Sequence, residues 1–143
     1  MNPWLSIPLE DYEGHMKAVG QAAALRESFV STYARVKPRR VAILGCTAGG
    51  DFAVIQPDVT ELAVGVDLNP AYIEAARQRS THIANAVHWV CGDVLTVELP
   101  GAPFELVHAA LLLEYVDAEQ VFVRVLAHSV FKLAGVVDGP GAR

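Results

Sequence analysis

VAILGCTAGGDF, residues 41–52, runs a short apolar segment straight into a turn of small residues, and VGVDLNP, residues 64–70, adds a second apolar segment that closes on an acid. A strand, a turn whose backbone can approach a ligand, and an acid at the tip of the next strand describe the nucleoside-binding half of an open, parallel α/β sheet. Asp67 follows Gly45 by about 20 residues, the spacing at which such a unit brings a carboxylate to a ribose.

The turn alone does not choose the ligand. Gly45, Cys46, Thr47, Ala48, Gly49 and Gly50 supply two of the three glycines of GxGxxG and two of the three of GxGxG, and Thr47 stands at the missing glycine of both. A tight turn that holds no ligand is the plain alternative. Two features further along weigh against a dinucleotide. Only about a dozen residues separate Gly50 from the next apolar segment and Pro57 interrupts them, leaving room for one or two helical turns. A pyrophosphate is served better by a full helix pointing its N-terminus at the phosphates. A third apolar segment, AVHWVCGDVL at 86–95, then ends in Gly92, Asp93 and Val94. There an acid can accept the exocyclic amino group of an adenine while an aliphatic side chain packs on the ring.

From Val41 to about Gly135 the chain resembles a class I S-adenosylmethionine-dependent methyltransferase. Gly45 to Gly49 resemble the family's first motif, Asp67 its ribose acid, and Asp93 with Val94 its adenine contact. FELVHAALLLEYVD at 104–117 resembles the fourth strand and its loop, and FKLAG at 131–135 the LKPGG turn before the fifth. The lead-in PWLSIPLEDYEGHM is similar to that of a poorly characterised bacterial group of these enzymes. The resemblance implies a Rossmann-like three-layer α/β sandwich with a mostly parallel sheet of order 3-2-1-4 and a short fifth strand. It implies S-adenosylmethionine as cofactor, held by Gly45, Cys46, Thr47, Ala48, Gly49, Asp67, Leu68, Asp93, Val94 and Ala109. The sequence departs from the family at Thr47, whose Cβ would crowd a cofactor unless its φ stays negative, and at Leu133 and Ala134, which replace Pro and Gly.

Helical spacing of Ala22, Leu25, Phe29, Tyr33 and Val36 predicts a helix from about Lys17 to Val36, stopped by Pro38. Asn69 before Pro70 predicts an N-capped helix to about Arg79. Asp117 with Gln120 predicts a third, burying Val121, Phe122, Val125, Leu126, Val130 and Leu133. Residues 1–143 are expected to form one domain: a lead-in and helix over 1–37, a Rossmann-like core over 38–137 and a tail over 138–143. Val136 and Val137 are the only remnant of a fifth strand, and the apolar fourth strand LVHAALLL is expected to pair at that edge in a homodimer.

With 11 basic against 16 acidic side chains and a net charge of −5, the chain lacks the footprint for nucleic acid or an anionic membrane surface. Lys37, Arg39 and Arg40 read as a solvated helix end. No apolar run approaches the roughly 18 residues that a membrane span needs. Cys46 and Cys91, in a chain with no secretory signal, read as reduced thiols in a cytoplasmic protein. His82, His88 and His128 lack metal-ligand spacing, and Trp89 and His108 read as core residues.

Methyl transfer from a sulfonium is an in-line displacement, so aligning the acceptor and excluding water can supply much of the rate, and a base is needed only for a protonated hydroxyl or amine. Tyr12, Glu13 and His15 in the lead-in, with Glu114 and Tyr115 after the fourth strand, are the candidates; an amphipathic cap is the other reading of Tyr12 and His15. The function expected is methyl transfer to a small-molecule acceptor. A non-catalytic cofactor-binding remnant and an NAD(P)-dependent oxidoreductase stay open.

Overall fold

The structure, a computed structural model, describes residues 5–18, 21–47 and 49–109. Two helices, α1 (Leu9–Ala18) and α2 (Gln21–Val36), precede β1 (Arg40–Leu44). A five-residue 3-10 turn (Gly50–Val54) leads towards β2 (Leu62–Asp67), and α3 (Pro70–Arg79) with a second 3-10 turn (Thr81–Ile83) towards β3 (Val87–Cys91). β4 (Leu106–His108) is the last described strand.

All pairings are parallel and the order is β3-β2-β1-β4. This is the expected Rossmann-like sheet, and its direction of winding reverses between β1 and β4. Register places Val41 beside Ala63 and Leu106, Asp67 beside Cys91, and Ile43 beside His108.

Alternation along each strand splits the core into two faces. Val41, Ile43, Ala63 and Leu106 pack with Phe29 and Tyr33 of α2, Phe52 of the first 3-10 turn and Ile73 of α3. Ala42, Leu44, Val64, Val66 and Val107 face the other way, onto Val94, Leu99 and Phe104. Fully burying a side chain such as Phe29 or Phe52 is worth about 1.5–3 kcal/mol, whereas exposed ion pairs such as Arg39–Glu61 contribute about 0–1 kcal/mol. The helices are therefore seated by their apolar faces.

Gly65 makes room on the first face. A Cβ there would stand 2.8 Å from the Trp89 ring and 2.9 Å from Phe52, whose rings meet at 4.7 Å between centroids. Trp89 is half-buried against this core, as expected.

The N-terminus differs from expectation. The helix predicted from Lys17 to Val36 is α2, which begins at Gln21, and the lead-in before it is itself helical over Leu9–Ala18, with Glu10 and Asp11 in its first turn. It is fastened to α3: Tyr72 donates its hydroxyl to the Ile7 carbonyl at 2.8 Å, the Tyr12 and Tyr72 rings lie 6.1 Å apart, and Glu13 pairs with Arg79 at 2.6 Å. The basic cluster lies at the surface as expected, and Arg39 and Arg40 both bond to the exposed Glu61. The helix expected after Asp117, the fifth strand at Val136 and Val137, and with them the edge expected to pair two copies, fall outside the described residues.

Candidate cofactor site

The Gly-rich turn folds back over the tip of β2. The Gly45 and Cys46 amides both donate to the Val66 carbonyl, at 2.8 and 2.9 Å, and Gly49 donates to the Cys46 carbonyl. Gly45, Thr47 and Gly49 all have positive φ, at 69°, 48° and 78°. The negative φ that would have kept the Thr47 Cβ out of the way is thus not adopted. Gly49 is required twice over, by its φ and because a Cβ there would come within 2.8 Å of Ala76 Cβ on α3.

Asp67 holds the turn in this shape. Its Oδ2 accepts the Thr47 N–H at 2.8 Å and its Oδ1 the Asn69 N–H at 3.0 Å. Asn69 in turn caps α3, accepting the Ala71 N–H at 2.9 Å, with Pro70 in the first turn as the sequence predicts. Burial raises the Asp67 carboxyl above the ordinary aspartate range, while the Asn69, Thr47 and Leu68 amides pull it back. A carboxylate offers about four lone-pair directions, so these amides leave room for at least one hydroxyl donor from a ribose. In this respect the site fits a nucleoside.

Asp93 stands just past β3, one strand over from Asp67. It is exposed, and its Oδ1 fixes the following turn by accepting the Leu95 N–H at 2.9 Å. Val94 beside it is buried in the second core face. Cys91 is exposed and its thiol donates to the Leu68 carbonyl at 3.6 Å, bridging the β2 and β3 tips. The Cys46 thiol donates to the Thr47 carbonyl at 3.7 Å; burial first, then the charges of Asp67 and Asp51, pushes its pKa well above the usual thiol value.

The strand ends therefore bring together Gly45, Cys46, Thr47, Gly49, Asp67, Leu68, Asp93, Val94 and Ala109. Ala48, Glu114 and Tyr115 lie outside the described residues. Tyr12 and Glu13 are engaged with α3, and His15 is exposed on α1. His108 is a core residue as expected, 1% exposed and packed on Phe29 with ring centroids 4.9 Å apart. Its neighbour is not among the residues expected from the sequence. Asp51, the acid directly after the turn, lies with Oδ2 3.7 Å from His108 Nε2, and burial lifts its carboxyl to about 6 against the pull of Arg26. An acid abutting a Gly-rich turn was the available signal.

Among the described residues no helix is long and apolar enough to cross a membrane, and no group of three or more His, Cys, Asp or Glu could hold a metal ion.

Residues 41–131 match a family of methyltransferase domains. Among solved structures, the chain is similar to the N-methyltransferase NodS from Bradyrhizobium japonicum WM9, determined with S-adenosyl-L-homocysteine: 17% identity, TM-score 0.66, 77% of this chain and 57% of that one covered. It is similar to an S-adenosylmethionine-dependent methyltransferase from Clostridium acetobutylicum ATCC 824, at 15% identity and TM-score 0.65 over 90% of this chain and 55% of that one. It is also similar to CalS10, an amino pentose methyltransferase from Micromonospora echinaspora solved with S-adenosylmethionine, at 19% identity and TM-score 0.61 over 87% and 54%. At these identities the likeness is one of fold. The chain spans about half the length of the solved structures it matches.

Proposed function

Because the chain belongs to the methyltransferase domain family, we propose that it binds S-adenosylmethionine across the C-terminal ends of β1, β2 and β3 and passes the methyl group to a small-molecule acceptor. The observation that carries the cofactor half is the seating of Asp67, which holds the Gly-rich turn and the start of α3 at once while keeping acceptor capacity for ribose hydroxyls. In this reading Gly45 to Gly49 form the floor, Asp67 and Leu68 take the ribose, Asp93 and Val94 take the adenine, and Ala109 closes the β4 side.

When bound, the cofactor supplies a methyl group on a sulfonium that leaves without needing a proton. The protein's part is to fix the cofactor and exclude water, and alignment of this kind is worth about 7–11 kcal/mol in favourable systems. A small acceptor is favoured over nucleic acid by the net charge of −5 and by the engagement of Arg39 and Arg40 with Glu61. A dinucleotide is disfavoured because the element after the turn is a 3-10 turn of five residues, too short to aim a helix N-terminus at a pyrophosphate.

Titration calorimetry with S-adenosylhomocysteine and, separately, NAD tests the reading. Binding of the homocysteine compound with NAD at least tenfold weaker is expected; tighter NAD would overturn the cofactor assignment.

A further inference from the structure

β3 ends the described sheet on one side, and its outer edge is bare. The Ala63 N–H bonds to the Ala86 carbonyl and the Gly92 N–H to the Asp67 carbonyl, so Ala86, His88, Val90 and Gly92 turn their main-chain groups towards β2. Val87, Trp89 and Cys91 therefore point theirs outward, three N–H and three C=O groups that bond to no described residue.

Nothing in the strand guards this row. Edges are ordinarily blunted by lysine, proline or a bulge, because free donors and acceptors pair with another extended chain. VHWVC at 87–91 holds no lysine, arginine, acid or proline, and it pairs with β2 residue for residue without a bulge. His88 and Cys91 are exposed and Val87, Trp89 and Val90 half-buried, so the edge is open to a second strand.

The strand that fits is β3 itself. Laid antiparallel about a two-fold axis through Trp89, two copies set Trp89 beside Trp89 and Val87 beside Cys91 as hydrogen-bonded pairs, and all the outward groups of both are satisfied. A slip of two residues leaves Val87 or Cys91 with nothing opposite it in the other strand. Charge agrees with this register. The acid next to the strand, the exposed Asp93, comes near the exposed and neutral Asn85 of the second copy. The two Asp93 carboxylates then stand at opposite ends of the ribbon, roughly 25 Å apart and beyond the Debye length of about 8 Å.

We infer that β3 is a self-recognition edge, through which two copies of the chain join their sheets into one with Trp89 on the two-fold axis. The inference does not depend on what the strand tips bind.

Sedimentation equilibrium of the wild-type chain, from low micromolar to near-millimolar concentration, should show monomer and dimer in exchange. Cys91→Pro removes one outward N–H from each copy at an edge position that tolerates proline, and should weaken the dimer about tenfold or more. Val87→Cys gives a second readout should the proline variant misfold. Its new thiol faces Cys91 of the second copy at a Cα separation of about 5.5 Å, which a disulfide spans, whereas the wild-type Cys91 residues lie too far apart to join. Diamide, which takes up the hydrogens of each thiol pair, should cross-link Val87→Cys but neither the wild type nor the double variant Val87→Cys with Cys91→Ser. A wild-type chain that stays monomeric throughout would overturn the inference. So would a dimer that Val87→Cys fails to cross-link, since its contact would lie elsewhere.

Discussion

The main-chain N–H of Thr47 donates to Oδ2 of Asp67 across 2.8 Å, while Thr47 itself sits at φ 48°. A β-branched residue is uncommon in that region and costs about 1–2 kcal/mol there. The carboxylate bond is what holds it, so the acid expected to recognise a ribose also shapes the loop beside it.

Asp67→Ala should consequently lower stability as well as affinity. Two amides lose their acceptor, which costs about 1–3 kcal/mol, and binding of S-adenosylhomocysteine should weaken at least tenfold. Urea unfolding alongside calorimetry reads both. Unchanged affinity would remove Asp67 from the site.

Thr47→Gly removes the left-handed penalty of about 1–2 kcal/mol and adds about 0.4–1 kcal/mol of unfolded-state entropy. Stability should be equal or slightly higher, and S-adenosylhomocysteine should bind more tightly because the Cβ no longer crowds the turn. Weaker binding would show instead that the threonine hydroxyl makes a contact.

Asp51 titrates against folding. Its carboxyl is raised from 3.8 to about 6 in the native state, so the native state holds more protons than the unfolded chain between those values. Stability from this group is full below about pH 4 and is lost as pH rises through 6. Asp51→Asn should therefore be more stable than wild type at pH 7 by about 1–3 kcal/mol and equal to it at pH 4. Denaturant curves at the two pH values test this; a gain of the same size at both would deny the titration its role.

Tyr72→Phe takes the donor from the Ile7 carbonyl, a bond worth about 0.5–1.5 kcal/mol. Its effect should be confined to the N-terminus, because the Glu13–Arg79 pair that remains is exposed and contributes about 1 kcal/mol or less. Amide exchange should speed up over α1 and stay unchanged in β1 and β2. Uniform acceleration through the sheet would mean that α1 belongs to the main cooperative unit.

The β1-turn-β2-acid unit and the start of α3 are legible in the sequence because local chemistry alone dictates them. Val41 to Leu44 is a bounded apolar run, glycines supply φ values of 69° and 78°, and Asn69 with Pro70 caps and opens a helix. α1 is not legible in the same way. LEDYEGHMKA has no sustained apolar stripe, and what fixes it is docking through Glu13 and Tyr12 onto α3, a tertiary effect. The Asp51–His108 contact is hidden for a similar reason, since only the pairing of Ile43 with His108 brings the end of β4 beside the turn after β1. Thr47 gives no local sign of its left-handed backbone because the asking group, Asp67, is on another strand.

Strand order also governs how the protein is made on a ribosome. β1 is flanked by β2 on one side and by β4 on the other, and Arg39 bonds to a residue 66 positions later, Glu105. During synthesis β1, β2 and β3 emerge and can pair while the outer flank of β1 still awaits Leu106 to His108. For that interval the strand destined for the centre of the sheet is an edge, with the Arg40 carbonyl and the main-chain groups of Ala42 open to any passing extended chain. Pausing or premature termination before Glu105 would therefore yield a nascent chain with its nucleoside-facing strands assembled and its most apolar strand unguarded, a natural client for chaperones.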